Sequence, residues 1–554
     1  MVTYRIRKMI AWGMAVTMTA GMTNVLTGCG AEREGQAVET SQVEDTSQGD
    51  EDTPAWKKYA GEPVTLDWYV NYSWFAIPWG ENAVSQKITE ETGVNINFIT
   101  PIGNETEKLN ALIASDSLPD LITLGYWEPQ VNQMIEENMV YALNELADDY
   151  DAYFWQVTDA DVVNWYTMDD GNIYGYPCST VTPKQVKEHD DIISNQTFLV
   201  CKDIYEAIGS PDMTTPEGFK AAVEKAAEMF PEVNGEKLIP VGSHVFDNQG
   251  NVSFDKYLMN FLAVPWEKDG KYYDRYTDPE YVIWLKMFRE LGEEGLLAND
   301  IFVDTRIQME EKLAKGRYFC MLYQYSDTIS QQKALYENDP DSIYMAVEGP
   351  RNSNGDDPTL PTNNMNGWTL TLISKNCKYP ERAIAFMDYM MSEHGQMLIY
   401  LGVEGVTYDI VDGKPVLKED VSKILNSDRE TYDRLYGADD AYWMLQNNVM
   451  QLQWEQKAGP ATEQLLVWAC KYTVYNGQYD VSLSTSPEIA AMDDKCTKLW
   501  SETLPKLLLA PDEAQFDEIF EEYVEKRNSM GYQEVLKQKT ILMNAAKKKM
   551  GIGG

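Results

Sequence analysis

Three short apolar runs near the start of the folded part restrict this chain to a layer of parallel strands and helices. Val64, Leu66, Trp68 and Val70 alternate with Thr65, Asp67 and Tyr69, the period of a strand. A helical stretch over about 81–91 stops at Gly93, a residue suited to a helix C-terminus. Val94, Ile96 and Phe98 then alternate with Asn95 and Asn97 as a second strand. Leu109, Leu112 and Ile113 mark another helix, and Ser117-Leu118-Pro119-Asp120 leads into a third strand, Leu121-Ile122-Thr123-Leu124. Strands joined through helices pair in parallel, which predicts an α/β architecture. The alternation continues. Thr215-Pro216-Glu217 starts a helix whose Phe219, Val223, Ala226 and Phe230 share one face. A helical stretch at 281–291 precedes Gly316 and a strand containing Tyr318 to Leu322. Thr369 to Ile373 reads as a strand, Pro380-Glu381 opens a helix, and the chain is mainly helical after Asp420.

The N-terminus carries a different signal. Arg5, Arg7 and Lys8 precede a mostly apolar run from Met9 to about Val25, followed by Leu26-Thr27-Gly28-Cys29. This order of basic, apolar and small-residue regions is that of a secretory leader. The cysteine after Leu-Thr-Gly resembles the lipobox of bacterial lipoproteins, which implies cleavage before Cys29 and a diacylglyceryl group on its thiol. Residues 1–28 are thus expected to be a signal peptide. Residues 29–61, acidic and rich in Gln, Ser, Thr and Gly, are expected to be a disordered tether.

A chain of 554 residues exceeds what one core holds, so two or more lobes are expected. Its 88 acids against 46 bases give a net charge of −42, and loss of the leader's three bases makes it more negative. Such a surface repels phosphate backbones, which excludes nucleic acid as a partner. Cys178, Cys201, Cys320, Cys377, Cys470 and Cys496 form no C-x-x-C pair, and His189, His244 and His394 have no metal spacing. No metal, cofactor or catalytic residue is expected.

Several motifs match one family in order and spacing: Ser117-Leu118-Pro119-Asp120; Asp170-Gly171-Asn172-Ile173-Tyr174-Gly175-Tyr176-Pro177; Phe198 to Asp203, followed by the Thr214-to-Phe219 helix start; Gly316-Arg317-Tyr318-Phe319; Ile373-Ser374-Lys375-Asn376-Cys377 with Pro380-Glu381-Arg382-Ala383; and Gly402-Val403-Glu404-Gly405-Val406-Thr407-Tyr408. Together they resemble the extracellular solute-binding lipoproteins of carbohydrate ABC importers, family 1, in the LipO/YtcQ-like subgroup of Gram-positive bacteria. The resemblance implies a two-lobed, periplasmic-binding-protein-like fold of type II with an interlobe ligand cleft. Carried onto this chain, the first lobe is 62–178 plus 350–408 and the second, helix-rich, is 179–349 plus 409–550. Hinge segments are expected at 176–182, 349–366 and 406–413. Many relatives carry a calcium loop before an Ile-Pro. Here Glu232 to Pro240 is too short and lacks the alternating carboxylates calcium requires.

A sugar presents hydroxyls and a C–H face, so its binder needs aromatic platforms and a few oriented polar groups. Ligands of open α/β layers sit at the carboxyl ends of strands. These rules select Tyr72, Trp74 and Trp79 after the first strand and Tyr126 and Trp127 after the third. They also select Tyr174 and Tyr176 at the first hinge, Tyr323, Gln324 and Tyr325 on the second lobe, and Trp368. Glu404 and Tyr408 match the family's third-hinge motif, and Trp266 and Trp443 are weaker candidates. The expected function is capture of a carbohydrate, an oligosaccharide, by a monomer anchored through Cys29 on the outer face of the cytoplasmic membrane. Delivery is to ABC permease subunits. The competing readings are a secreted glycoside hydrolase or polysaccharide lyase, with Asp169-Asp170 as the tempting acid pair, and a surface glycan adhesin.

Overall fold

The computed structural model describes residues 53–552 apart from 104 and 456–458. Cys29, the leader and most of the tether lie outside the described residues. Nine strands make the two main sheets: β1 (Val64–Val70), β2 (Val94–Ile99), β3 (Leu121–Gly125), β4 (Gly175–Pro177), β5 (Gln196–Cys201), β6 (Ile239–Gly242), β7 (Tyr318–Gln324), β8 (Tyr344–Ala346) and β9 (Thr369–Ile373).

The first sheet has the order β2-β1-β3-β9-β4. Its first three strands are parallel, as the helical connections require. β9 returns from the second lobe and runs antiparallel to both neighbours. The helix between β1 and β2, Ala83–Thr92, is capped by the Asn82 side chain, which accepts from the Ser85 N–H. It ends at Gly93 with φ 71°, where a Cβ would lie 2.9 Å from the Ala60 carbonyl. Leu66, Trp68 and Val70 point into one core and Tyr69 into the core on the opposite face, with Leu109 and Ile113. Trp68 donates to Thr123 Oγ1 at 2.9 Å, and Thr123 bonds Thr371 at 2.8 Å, which ties β1, β3 and β9 together under the apolar layer.

The second sheet has the order β8-β5-β7-β6, with β6 and β7 parallel and the other pairs antiparallel. Its core gathers Phe198, Val200, Cys320 and Leu322 with helices Pro216–Met229, Pro279–Glu293 and Pro487–Leu508. All six described cysteines are free thiols, five of them buried.

The structure differs from the sequence reading at three boundaries. First, residues assigned to the tether are built into the first lobe. Ala55–Tyr59 is a helical turn, its first N–H bonded to Asp151 at 3.0 Å, with Trp56 edge-on to Tyr389 and Arg382 over Tyr59. Second, 409–445 does not belong to the second core. Val421, Tyr432, Ala438, Tyr442 and Trp443 lie in the first. The segment is held there by the Val84 N–H on the Tyr436 carbonyl and by Tyr442 on Pro78 and Asn82. Third, the expected hinge at 406–413 is not a crossing. Tyr408–Val411 and Lys414–Leu417 form an exposed hairpin, turned by Asp412 and Gly413 with φ 52° and 78°. The chain instead leaves the first core after Leu445 and enters the second at Leu465. The three crossings run side by side. Val181 N–H bonds the Asn364 carbonyl, Trp368 N–H bonds the Cys178 carbonyl, and Ser179 N–H bonds the Gln446 carbonyl.

A buried carboxyl in the second core gives a pH signature. Asp255, 4% exposed, lies in a π-helical turn, Ser253–Tyr257. It accepts from Trp500 Nε1 at 2.7 Å, Asn251 N–H at 2.8 Å and Tyr281 Oη at 3.3 Å. Burial pushes its carboxyl up to about 7. The folded chain therefore holds a proton there that the unfolded chain releases above about pH 4. This group's contribution to stability falls as pH rises towards 7 and is level beyond. Between pH 5 and 7 the stability of the native chain relative to Asp255→Asn should drop by roughly 2–3 kcal/mol. Urea unfolding of both chains across that range measures it, and parallel profiles would contradict it.

Candidate ligand-binding crevice

The carboxyl ends of β1 and β3 and the start of β9 meet at one edge of the first sheet, because Thr369 of β9 pairs with Gly125 of β3. The loops leaving this edge bring Tyr72, Trp74, Trp368 and Trp443 into one aromatic patch. Trp74 lies parallel to Trp368, 3° between planes and 6.1 Å between centroids. Tyr72 is 5.4 Å from each, and Trp443 is 4.4 Å from Trp368 and 5.6 Å from Tyr72. The patch is graded in exposure. Trp443 is 7% exposed and anchored in the first core, Tyr72 and Trp368 are half-buried, and Trp74 is 58% exposed.

Polar groups rim the patch. Asn71 is buried at the end of β1 and takes a bond from Tyr69 Oη at 2.8 Å. Its Nδ2 donates to Glu128 at 2.7 Å, and the other Glu128 oxygen accepts from the Gly125 N–H at 2.8 Å. Burial raises the pKa of Glu128, opposed by those two donors. Glu105 accepts from the Ser73 N–H at 2.7 Å and Oγ at 3.0 Å. Asn71, Glu128 and Glu105 were not among the sequence candidates. Glu128 sits one residue past Tyr126-Trp127, in a loop the strand-end rule does select.

On the second sheet the carboxyl ends of β6 and β7 share an edge with the start of β5, where Gln196 pairs with Gln324. Gln324 accepts from Tyr257 Oη at 2.6 Å and donates to Asp327 at 2.6 Å. Arg306 bridges Glu310 and Asp327 and lies 3.2 Å from His244 Nε2. Burial, then the Arg306 charge, lowers the His244 pKa. Between the lobes, Asp480 ties the hinge to the first lobe. Tyr126 Oη donates to both its oxygens at 2.9 and 2.8 Å, Asn364 donates at 2.8 Å, and Asn366 bonds its carbonyl at 2.6 Å.

The remaining sequence candidates divide clearly. Trp127 is 49% exposed and its ring covers Gly125, where a Cβ would sit 2.7 Å from it. Tyr126 is a hinge residue through Asp480 rather than an open platform. Trp79 is structural: its indole donates to Thr89 at 3.0 Å and packs against Phe98, Phe386 and Tyr442. Tyr176 is buried beside Phe154 and accepts from the Asp159 N–H. Tyr174 bonds Asp170 at 2.6 Å, and Asp170 also accepts from the Asn172 N–H, so the Asp169-Asp170 stretch is a turn around Gly171 at φ 86°. Tyr323 is fully buried under Arg306, whereas Tyr325 is half-buried against the second core. Trp266 has Tyr479 stacked on it at 5.7 Å and Arg275 over its ring at 4.7 Å. Glu404 is exposed beside the hairpin, and Tyr408 is buried against Leu401 and Trp454 in a cluster separate from the aromatic patch. Glu232 to Lys237 is a tight hairpin, with Glu236 held by Lys315 and Arg317. Among the described residues no cluster of three or more His, Cys, Asp or Glu is arranged to hold a metal ion.

Comparison with known proteins agrees with this architecture. The profile of the bacterial extracellular solute-binding protein family matches residues 76–397, over half of the chain. Lipoprotein LipO of Bacillus subtilis is 21% identical over 334 residues, 56% of this chain and 61% of LipO, so the match spans less than two thirds of that relative. The polygalacturonan/rhamnogalacturonan-binding protein YtcQ of Bacillus subtilis is 20% identical over 67% of this chain and 74% of its own. Among solved structures, the Streptococcus pneumoniae ABC-transporter substrate-binding protein FusA in complex with kestose superposes with a TM-score of 0.68 at 16% identity, covering 88% of this chain and all of FusA. The fold is thus the two-lobed α/β fold of the periplasmic solute-binding proteins. With two sheets, three adjacent crossings and a matching family profile, this chain belongs to the bacterial extracellular solute-binding proteins.

Proposed function

We propose that the chain is the substrate-binding component of an ABC importer, capturing an oligosaccharide between its lobes and passing it to membrane permease subunits. Lipid on Cys29 would hold it, as a monomer, at the outer face of the cytoplasmic membrane of a Gram-positive cell. The observation that carries the carbohydrate reading is the aromatic patch, with the exposed Trp74 face beside Trp368 and Tyr72. Flat aromatic faces accept the C–H face of a sugar ring, and the carboxylates Glu105 and Glu128, the latter held by the buried Asn71, meet its hydroxyls. The names of its relatives support a carbohydrate ligand, since YtcQ is named for polygalacturonan and rhamnogalacturonan and FusA was solved with kestose.

The mechanism is a shift in population. Ligand touching both lobes binds the closed arrangement better and stabilises it by that difference in affinity. Three adjacent crossings let the lobes rotate without unfolding either core. On this reading the protein binds its sugar without cleaving it, and the acid pair that most suggested hydrolysis, Asp169-Asp170, lies in a turn.

A thermal-shift screen against mono- and oligosaccharides tests this. Ligand at about 100-fold over Kd should stabilise the fold by ~2.7 kcal/mol, and the sugar should be recovered intact. Stabilisation accompanied by cleavage would move the protein to the hydrolases or lyases. Absence of any shift would reject the carbohydrate assignment.

A further inference from the structure

Resting on the carbohydrate reading above, the charges lining the crevice narrow the class of sugar. On the first lobe, the charges that the described residues place at the Tyr72 hydroxyl are the carboxylates Glu105 and Glu128. Glu128 and Glu105 lie close enough to act on the Tyr72 hydroxyl, whose pKa is raised by burial first and then by Glu128, Cys178 and Glu105. At the hinge, Tyr126 faces the Asp480 carboxylate. On the second lobe, Tyr325 lies within the field of Glu455, which itself lies near Asp191.

The cations near these edges differ in how far their charge is met: Arg306 is paired with carboxylates, whereas Arg275 and Lys549 are held by neutral groups. Arg306 is bracketed by Glu310 and Asp327, so the group carries net negative charge. Arg275 lies over the Trp266 ring at 4.7 Å and gives Nη2 to the neutral Asn260 at 2.9 Å, which holds the guanidinium in place without cancelling its charge. Lys549 at the end of the last helix caps the Trp165 and Thr167 carbonyls at 2.6 and 3.1 Å. Outside the crevice, a net charge of −42 extends the same sign over the surface.

The two carboxylates are set to accept rather than to pair. Glu128 is fixed by the Gly125 N–H on one oxygen and Asn71 Nδ2 on the other, and each oxygen keeps a second lone pair. Glu105 is fixed through one oxygen by Ser73. A sugar hydroxyl donates to such groups in a charge-assisted bond. A uronate brings a further negative charge to the same place, where repulsion in a partly desolvated cleft is strong.

We propose that the crevice selects uncharged oligosaccharides, with Glu105 and Glu128 accepting hydrogen bonds from sugar hydroxyls, and that it rejects chains of uronic acids.

The test is calorimetric titration of the purified full chain with kestose, maltotriose, xylotriose and cellotriose, and with trigalacturonate, at 20 and about 300 mM salt. The expected result is binding of an uncharged trisaccharide, with trigalacturonate weaker on the order of a hundredfold at low salt. Salt should strengthen the residual uronate binding by screening repulsion and leave the uncharged sugar unaffected. Glu105→Gln should weaken the uncharged sugar about tenfold and narrow the gap between the two classes. Trigalacturonate binding as tightly as any uncharged sugar, or weakening as salt is added, would overturn the proposal. If neither class binds, the carbohydrate reading itself fails, and this inference with it.

Discussion

Replacing Trp74 with alanine should weaken oligosaccharide binding by roughly thirtyfold, about 2 kcal/mol, and leave stability unchanged within about 0.5 kcal/mol. Both halves follow from its position. The ring is 58% exposed, so little buried area is lost on truncation. What goes is the outer face of the aromatic patch, parallel to Trp368. Trp443 is the informative contrast. It belongs to the same patch but is 7% exposed and packs into the first core, so Trp443→Ala should cost about 3–5 kcal/mol of stability. Calorimetric titration with urea unfolding of the two variants separates the roles. Equal losses of stability, or undiminished sugar binding by Trp74→Ala, would show that the patch is only packing.

Arg527→Ala should destabilise the second lobe by about 3–5 kcal/mol. The Arg527 side chain is 1% exposed, within helix Glu513–Ser529. Its guanidinium grips Asp274 through two bonds, Nη1 to Oδ1 at 3.1 Å and Nη2 to Oδ2 at 2.5 Å. The group also lies 3.9 Å over the Tyr532 ring and 5.0 Å over Tyr523. Alanine removes the partner of a poorly solvated carboxylate and opens a space between three helical segments. Lysine keeps the charge but neither the forked geometry nor the stacking, so Arg527→Lys should fall between. Asp274 immediately precedes Arg275, so this clamp also fixes the loop that lies on Trp266. Denaturant unfolding measures the effect, and a loss below about 1 kcal/mol for the alanine variant would contradict it.

The elements that were legible in the sequence are those whose cause is local. Leu66, Trp68 and Val70 alternate because one face of β1 is buried, and Gly93 ends its helix because a Cβ would meet the Ala60 carbonyl. The strand-end rule picks out Tyr72 and Trp74 because parallel strands deliver their next loops to one edge, and Trp368 reaches the same edge from the start of the antiparallel β9. Contacts made far along the chain were not legible. Tyr442 reaches Pro78 and Asn82 across more than 350 positions, so nothing near 442 reveals that the segment belongs to the first lobe. Trp74 and Trp79 look alike in sequence, and only the fold shows that Thr89 captures one indole and leaves the other in the open. Glu404 and Tyr408 followed a motif that here opens a hairpin, with Tyr408 packed in a cluster separate from the aromatic patch. Asn71 and Glu128 escaped notice because a search for sugar platforms weights aromatic residues over the carboxylates beside them.

In the proposed function a sugar is held between the lobes against the first lobe's aromatic patch. A crystal structure of the protein with the oligosaccharide that stabilises it most tests this directly. The expected result is a sugar ring with its C–H face on Trp74 and Trp368, its hydroxyls on Glu105 or Glu128, and contacts from both sheet edges. A sugar bound on an outer surface, with the patch uncovered and the lobes unmoved, would contradict it.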